Sequence, residues 1–302
     1  MKRAWASTSM LTVLAGAATV ASSNLGCGED GNGESDLSVL LVAEETITNG
    51  VAVGSAEEDS QDYAVTFTKY LVSLGQVRMA EANGKHPRHD DTVYIADMQR
   101  VGEEGVEIAT FRDLEAGQWP EFGFATTVPT ADAVALGGVT PEDRVQMVEH
   151  GWTYWIEGQV ERPVEQGGPV SFVLQVPVHS EYYDCASDAE PGVTVMNGPS
   201  SATITLHGDH IFFNAFPSGT EGLIKRRAGW IIEADQDGDG HVTSEDLAKI
   251  DASVLFTSAN GYSLNLPFDG FPLNTALDFV RAQLATQGHL NGEGGCSQRF
   301  SP

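Results

Sequence analysis

Short runs that alternate apolar and polar residues dominate the chain from about residue 37 to residue 215, and they predict β-strands. The clearest run is GWTYWIEGQV, in which Tyr154 and Ile156 point to the same face. The run PVSFVLQVPV follows after the turn EQGGP, so residues 152–178 are predicted to form a hairpin. YAVTFTKYLVSLGQVRM is long enough for two strands, or for one strand that bends at Gly75.

Helical spacing occurs once within this β-rich part and repeatedly in the C-terminal part. TPEDRVQMVEHG predicts a helix with Thr140 as its N-cap and Gly151 at its end. Three later runs share this spacing, and the last has Asn274 as its predicted N-cap: EGLIKRRAGWIIEA, TSEDLAKIDASVL and NTALDFVRAQLATQGHL. We therefore predict a mainly β protein, with an antiparallel β-sandwich domain at residues 37–218. A small α-helical, EF-hand-like region at residues 219–302 is expected to pack on it.

Charge is the compositional feature that changes this picture. The chain has 302 residues, and its 43 acidic against 16 basic residues give a formal net charge of -27. Such a field repels nucleic acids and attracts cations. We therefore exclude nucleic acids as partners and look for cation sites.

The first residues predict export. Two basic residues precede the apolar run LTVLAGAATV, which is too short to span a bilayer. We predict a signal peptide over residues 1–26, followed by a flexible, acidic and Gly-rich tether over residues 27–36.

A cysteine follows this predicted signal peptide directly. The stretch NLGCGED resembles the signal of bacterial lipoproteins, in which a Cys after a small residue is lipidated and becomes the first mature residue. The resemblance implies that Cys27 carries a lipid anchor to a membrane. Gly28, where an Asp would retain the protein at the inner membrane, implies the outer membrane. In that family a Leu usually stands three residues before the Cys, whereas Leu25 stands two before it, and plain secretion is the alternative.

The two other cysteines are Cys185 and Cys296. If Cys27 is lipidated, an even pair remains in an oxidising compartment, where disulfides persist. We predict a Cys185–Cys296 disulfide that ties the C-terminal tail to the body of the protein. Two free thiols are the alternative.

The segment DQDGDGHVTSED, residues 235–246, follows the spacing of an EF-hand calcium loop, with a Gly at the sixth position. Its predicted ligands are Asp235, Asp237, Asp239, His241 (through its backbone carbonyl), Thr243 and Asp246. Asp at the last position is shorter than the usual Glu, which lowers the affinity for Ca²⁺ and makes Mg²⁺ an alternative occupant. The loop is single in the sequence, and sensors usually pair two such loops. A structural calcium site is therefore predicted.

A second candidate metal site involves histidines. LHGDH supplies His207 and His210, and imidazoles bind copper or zinc. On a regular strand these two residues face opposite sides, so their convergence requires a bulge at Gly208. His289 is the candidate third ligand, and His179, near Cys185, is the other candidate. The alternative is that these histidines bond to the backbone near a strand end.

The sequence contains none of the common enzyme signatures, so we predict a non-catalytic protein. Trp119, Trp152 and Trp155 could line a sugar surface, which makes a carbohydrate-binding or glycan-acting protein a further alternative. Aromatic residues of strands belong more often to the core.

Two family resemblances follow from these motifs. The segment from HGDHIFF through DQDGDGHVTSED to GHLNGEGGC looks like the C-terminal region of a group of uncharacterised bacterial lipoproteins. These combine a His-x-x-His strand, one EF-hand-like loop and a closing Gly-His…Cys segment. FTKYLVSLGQVRM, VYIADM and the 152–178 hairpin are similar in layout to the methanobactin-associated periplasmic proteins, a copper-linked β-sandwich family. That resemblance implies a periplasmic transition-metal protein, and it transfers no copper ligand to a residue of this chain.

The sequence thus predicts an exported, lipid-anchored, non-catalytic protein of the cell envelope, stabilised by structural calcium and a disulfide. The alternative is a periplasmic copper- or zinc-binding protein that uses His207, His210 and His289. A protein or glycan partner is not identified by the sequence.

Overall fold

The computed structural model describes residues 35–54, 59–187, 190–216, 224–263 and 271–301. The predicted signal peptide, the lipidation candidate Cys27 and nearly all of the predicted tether lie outside these residues. Within the described part of the chain, no helix has the length and apolar character needed to cross a bilayer.

Strands make up most of the regular structure. In chain order they are β1 (Ser35–Ala43), β2 (Ala64–Glu81), β3 (Lys85–Asp97), β4 (Val106–Leu114), β5 (Gly117–Trp119), β6 (Glu121–Thr126), β7 (Val134–Leu136), β8 (Tyr154–Glu161), β9 (Val170–Val176), β10 (His179–Tyr183), β11 (Ala186–Ser187), β12 (Glu190–Pro191), β13 (Val193–Val195), β14 (Ser200–Leu206), β15 (His241–Thr243), β16 (Gly288–Leu290) and β17 (Ser297–Ser301). The helices are α1 (Glu45–Asn49), α2 (Met98–Val101), α3 (Pro141–His150), α4 (Gly229–Ala234), α5 (Ser244–Leu247), α6 (Ala252–Leu255) and α7 (Ala276–Leu284). Short 3-10 turns lie at Val164–Gln166, Gly208–Phe212 and Ser258–Asn260.

Two larger sheets organise the described residues, so the prediction of a mainly β protein is confirmed. One sheet has the order β16-β14-β1-β4, and the other has the order β15-β9-β8-β2-β6-β10-β17, with β3 added to β2 and β7 to β3. The expectation of purely antiparallel pairing is wrong, because β1 pairs with β14, β15 with β9, and β3 with β7 in parallel. Inward side chains of both sheets belong to one hydrophobic cluster. The sandwich arrangement itself stays a prediction.

The long strand β2 settles one ambiguity of the sequence. It is a single bent strand, which pairs with β8 through its first half and with β6 through its second half. The bend is a bulge after Gly75, where Gln76 adopts a φ of 55°. Only glycine suits this place, because a Cβ on Gly75 would lie 2.0 Å from the carbonyl oxygen of Thr92.

Two local predictions of the β-rich part are confirmed. The hairpin predicted over residues 152–178 forms as β8 and β9, and alternate residues of both strands are buried. The helix α3 begins after Thr140, whose side chain accepts a hydrogen bond from the backbone N–H of Asp143. It ends at Gly151 in the left-handed conformation.

The C-terminal helices are shorter than their sequence periodicity predicts. The helix α4 begins only at Gly229, because the carboxylate of Asp62 accepts the backbone N–H groups of Ala228 and Gly229 at 2.8 and 3.0 Å. The predicted helix over TSEDLAKIDASVL is divided into α5 and α6, since Asp251 caps a new turn through the backbone N–H of Ser253.

The N-cap of α7 is Thr275, and the predicted cap at Asn274 is wrong. The Thr275 side chain accepts the backbone N–H of Asp278, and the Asp278 side chain accepts the backbone N–H of Thr275 in return.

The predicted disulfide is present between Cys185 and Cys296. It spans 111 residues of sequence. In the chain-entropy model such a loop stabilises the fold by about 4–5 kcal/mol. The bridge fastens the segment that follows β16, which brings the C-terminal residues back to the body of the protein.

Candidate metal centre

A 3-10 turn brings the first two histidines together. β14 ends at Leu206, and residues Gly208–Phe212 then form the turn. His207 precedes the turn in an extended conformation, and the turn brings His210 back beside it, with ring centroids 5.5 Å apart. The bulge that the sequence requires at Gly208 is not formed, because the strand stops at Leu206, and His207 is only 4% exposed. Glycine at 208 permits the turn, since a Cβ there would lie 2.5 Å from Ile47 Cγ1.

The third histidine reaches the same place through strand pairing. His289 lies on β16, which runs antiparallel to β14 with Thr205 opposite His289. Its ring centroid is 4.2 Å from that of His207 and 5.3 Å from that of His210. The three predicted residues therefore converge, and we call His207, His210 and His289 the three-histidine site.

The spacing of the three-histidine site suits a metal ion. One ring nitrogen of each residue lies within 4.8 Å of those of the other two. A tetrahedral ion with metal–nitrogen bonds of about 2.0–2.1 Å needs nitrogens about 3.3–3.4 Å apart, so small side-chain movements would close the site. Both ring nitrogens of His289 are shielded from solvent and have no hydrogen-bond partner of good geometry among the described residues, although the backbone of Glu293 and Gly294 lies close enough to raise the pKa of this histidine slightly against the effect of burial. Because an unsatisfied buried polar atom is destabilising, a bound ion would remove this cost.

Hydrogen bonding fixes the tautomer of His210. The Thr286 hydroxyl donates to the carbonyl oxygen of Gln283 at 2.7 Å. The hydroxyl proton of Thr286 is therefore engaged in that bond. The hydroxyl oxygen can then only accept in its 2.9 Å hydrogen bond with His210 Nδ1. The Nδ1 atom carries the hydrogen, which leaves the Nε2 lone pair of His210 free for a metal. Thr286 had no signal in the sequence, since it is adjacent to His210 only in the folded chain.

Burial keeps two of the imidazoles neutral. It is the main cause that lowers the pKa of His289 to about 3, and the charge of His207 acts in the same direction. Burial also lowers the pKa of His210 well below its usual range, with further contributions from His289 and His207. Neutral imidazole is the form that binds metals. These two imidazoles are thus held in their metal-binding protonation state over a wide pH range.

Buried polar groups position the segment that carries Thr286 and His289. Tyr154 and Tyr182 donate from their hydroxyls to the carbonyl oxygens of residues 284 and 285 at 3.2 and 2.9 Å. Tyr70 donates to the Gln287 side chain at 2.8 Å, and the backbone carbonyl of Gln287 accepts from the backbone N–H of His207 at 3.1 Å. These contacts fix the end of α7 against the β-sheet core.

Charged residues surround His207. Its Nδ1 lies 3.5 Å from Glu44 Oε2, and its Nε2 lies 3.2 Å from the carbonyl oxygen of Gly292. Burial raises the pKa of Glu44, and the charge of Asp209 acts in the same direction. Asp209 is fully buried and accepts a hydrogen bond from Arg226 Nε through its Oδ2 atom. A carboxylate beside a ligating histidine orients the ring and raises its basicity.

The three-histidine site faces a cavity that opens to solvent. The cavity has a volume of about 650 Å³, and all three histidines line it. Its other polar lining residues are mostly acidic and include Glu44, Glu45, Asp59 and Glu293. A small cation therefore has access to the site along a negatively charged surface.

The predicted calcium loop, residues 235–246, is called the aspartate loop here. Carboxylate oxygens of Asp235, Asp237 and Asp239 lie within 4.8 Å of one another. Gly240, in the left-handed conformation, donates its backbone N–H to Asp235 Oδ2 at 3.2 Å. The other oxygen of Asp235 is shielded from solvent and has no hydrogen-bond partner in the described structure. The first three predicted carboxylates thus converge.

The second half of the aspartate loop departs from the prediction. Thr243 and Asp246 form a capping box at the start of α5, and Lys249 Nζ lies 3.2 Å from Asp246 Oδ1. The ring of His241 is bonded to Ser171, which leaves its backbone carbonyl as the predicted ligand. Only the single turn α5 follows the acids, so an EF-hand subdomain with two full flanking helices is not confirmed.

The tryptophans proposed for a sugar surface differ in their exposure to solvent. Trp119 is 2% exposed, and its indole N–H bonds to the backbone carbonyl of Glu115. Trp152 and Trp155 contact each other edge to face at 5.4 Å. Lys69 Nζ lies 3.8 Å above the Trp155 ring. Trp119 therefore belongs to the core.

Known proteins add little to this geometry. The sequence matches no protein-family model, and none of the curated proteins compared with it is significantly similar. Among solved structures, MbnP from Methylosinus trichosporium is similar over 59% of this chain and 77% of that chain, with 15% sequence identity and a TM-score of 0.30. A similarity this low carries no argument, and the resemblance in layout to the methanobactin-associated proteins stays a loose one. The chemistry of the site therefore rests on its own residues.

Proposed function

We propose that this protein binds a transition-metal ion at the three-histidine site. The observation that carries the proposal is the convergence of three imidazoles from two distant parts of the chain, with their nitrogens within 4.8 Å of one another. The shielded, unpartnered nitrogens of His289 and the fixed tautomer of His210 support it.

The ligand set favours zinc or copper. Three neutral imidazoles without a thiolate suit Zn²⁺ and Cu²⁺, and Cu²⁺ binds such sites more tightly in the general order of divalent metals. Three protein ligands leave one coordination position for water or a small molecule, on the side of the cavity. Because the sequence contains no catalytic signature, we propose that the protein holds the ion and does not turn over a substrate.

Metal titration of the full mature chain tests this function. Protein stripped of metal is titrated with Zn²⁺ or Cu²⁺ in the presence of excess Ca²⁺, which occupies the aspartate loop. One equivalent is expected to bind, and it should be lost in His207→Ala. Unchanged binding in that variant would overturn the proposal, while His89→Ala, at an exposed position, serves as the control.

We further propose that the aspartate loop binds Ca²⁺ as a second, structural site. The convergence of Asp235, Asp237 and Asp239 supports this, as does the unpartnered Asp235 oxygen. Extracellular calcium modules work at about 10⁻⁴–10⁻³ M, which matches the modest ligand set. Chelation with EGTA should lower the melting temperature, and added Ca²⁺ should restore it. A melting curve that responds to neither would contradict this proposal.

The cellular setting completes the proposal. The signal-like first residues and Cys27 support an exported, outer-membrane lipoprotein, and a Cys185–Cys296 disulfide suits an oxidising compartment. Expression of the full chain with Cys27→Ser should release the protein from the membrane fraction. Equal membrane retention of this variant would count against a lipid anchor.

A further inference from the structure

A second group of metal-binding side chains lies beside the three-histidine site. Ligand atoms of Glu44, His207 and Glu293 all lie within 4.8 Å of one another. His207 belongs to both groups: its Nδ1 is 3.5 Å from Glu44 Oε2, and its Nε2 is 4.0 Å from Glu293 Oε1. One imidazole therefore joins the two groups.

Exposure increases from the histidines towards the carboxylates. The side chain of His207 is 5% exposed, that of Glu44 is 22% exposed, and that of Glu293 is 86% exposed. All three line the same cavity. A cation that enters from solvent therefore meets oxygen ligands before it meets the buried nitrogens.

An unsatisfied buried carboxylate adds an independent observation. Asp209 is 0% exposed, and its Oδ1 has no hydrogen-bond partner among the described residues. Its other oxygen is bonded to Arg226, and its charge acts on both Glu44 and His207. The carboxylates of Glu44, Glu293 and Asp209 thus all interact with His207, and the guanidinium of Arg226 pairs with Asp209. A cation held by Glu44 and His207 would reduce this excess of negative charge.

We propose that Glu44, His207 and Glu293 form an outer site that captures a divalent transition-metal ion and transfers it to the three-histidine site through His207. This inference rests on the proposed function of the three-histidine site. The transfer exchanges two carboxylate oxygens for two imidazole nitrogens while His207 stays bound, so the ion never returns fully to water. No bond other than metal–ligand bonds is made or broken. Because both sites use His207, a single ion occupies one of them at a time.

Removal of the inner ligands isolates the outer site. The probe is Co²⁺ alone, because its visible spectrum distinguishes a nitrogen-rich tetrahedral site from an oxygen-rich one, and excess Ca²⁺ is present throughout. The double variant H210A/H289A is expected to bind one equivalent of Co²⁺ more than about 100-fold more weakly than the wild type, beyond the usual loss for a supporting residue. Adding E44Q/E293Q to this background should abolish the remaining binding, and H207A alone should abolish both kinds of binding.

The rate of metal uptake tests the transfer. In stopped-flow mixing, E44Q/E293Q should slow Co²⁺ uptake about tenfold or more and leave one equivalent bound at equilibrium. The matched control is E45Q/D59N, which removes the same charge from the same cavity. Electrostatic attraction alone can change association rates by about 10–10³-fold, so the control is needed to isolate ligation. The control should slow uptake less than E44Q/E293Q.

Each failure has a distinct meaning. Equal uptake rates in the two charge-matched variants would overturn the outer site, and so would residual Co²⁺ binding in H210A/H289A that does not depend on Glu44 and Glu293. In both cases the three-histidine site would survive. If the wild type binds Co²⁺ but H210A/H289A leaves its affinity unchanged, the proposed function fails while the outer site stands. A wild type that binds no Co²⁺ overturns both.

Discussion

The two candidate metal sites of this protein are built in opposite ways. The aspartate loop takes its acids from one continuous stretch that projects largely into solvent. The three-histidine site joins a 3-10 turn after β14 to a strand that lies about 80 residues later, and its residues are mostly buried. A local loop can gather its ligands with little help from the rest of the fold. A discontinuous site exists only when the sheet and the end of α7 are correctly packed.

Their chemistry differs as much as their construction. The aspartate loop offers hard carboxylate oxygens in contact with water, which suits Ca²⁺ or Mg²⁺. The three-histidine site offers imidazole nitrogens shielded from water, which suits zinc or copper. We therefore expect the two sites to respond to different ions, and to contribute separately to stability because they share no residue.

The largest expected effect is the stabilisation by Zn²⁺. At a free concentration 1,000 times its Kd, a single bound ion raises the free energy of unfolding by about 4 kcal/mol. His289→Ala should remove this gain and leave the stabilisation by Ca²⁺ intact. Thermal denaturation with each ion measures both. A full Zn²⁺ effect in His289→Ala would show that zinc binds elsewhere.

The stabilisation by Ca²⁺ should be smaller and should map to the aspartate loop. At 100 times its Kd, Ca²⁺ adds about 2.7 kcal/mol. Asp237→Asn/Asp239→Asn should abolish this gain without changing the response to Zn²⁺. Glu245→Gln is the control, because it removes an exposed acid of the same loop that is not a predicted ligand. Equal losses in the control and the double variant would contradict specific ligation.

A smaller effect is expected at Thr286, whose hydroxyl contacts His210 of the three-histidine site. Thr286→Val removes the acceptor of the His210 Nδ1–H bond, and loss of such a supporting contact typically costs about 10–100-fold in metal affinity. Isothermal titration with Zn²⁺ measures this change. Thr286→Ser keeps the hydroxyl and should restore the affinity. If Thr286→Val and Thr286→Ser bind Zn²⁺ equally well, the hydroxyl does not position His210.

The next prediction concerns the pH dependence of the metal-free protein. The pKa of His289 is lowered to about 3 in the folded state, against about 6.5 for an unfolded chain. Between these values the unfolded state binds more protons, so this histidine makes stability rise with pH across the window and fall on acidification. His289→Gln should therefore show a shallower loss between pH 6.5 and pH 4 in urea denaturation. Parallel curves for the two proteins would contradict a buried neutral His289.

The aspartate loop should behave differently on acidification. Its Asp246 accepts a hydrogen bond from Thr243, which lowers the pKa of the carboxyl group. A carboxyl group with a lowered pKa contributes stability above its unfolded pKa and loses it as the pH falls through the folded value. Its contribution is therefore lost only below about pH 4, where unperturbed Asp titrates. The loss attributed to His289 begins at higher pH.

The same contrast explains what the sequence predicted. The first three acids of the aspartate loop, the 152–178 hairpin and helix α3 depend on nearby residues, and the structure has each of them. The sequence analysis grouped the three histidines as the structure does, but it expected a strand bulge at Gly208 to bring His207 and His210 together. A 3-10 turn does so instead. Tertiary packing decides where a strand stops, and periodicity does not record it.

The supporting residues of the site could not be predicted. Thr286 and Glu44 reach the histidines through contacts between distant segments, and Arg226 pairs with the neighbouring Asp209; none of the three stands in a recognisable motif. The C-terminal helices show the same limit: Asp62 sets the start of α4 from 166 residues away. Helical spacing alone therefore overestimated their length.

Anomalous diffraction from crystals of the Zn²⁺-loaded protein tests the central claim most directly. We expect one zinc peak at the floor of the cavity, about 2.0–2.1 Å from one ring nitrogen each of His207, His210 and His289. Data recorded above and below the zinc absorption edge identify the ion, with Ca²⁺ in the crystals to occupy the aspartate loop. A zinc peak confined to the aspartate loop, or no peak among the three imidazoles, would contradict the account.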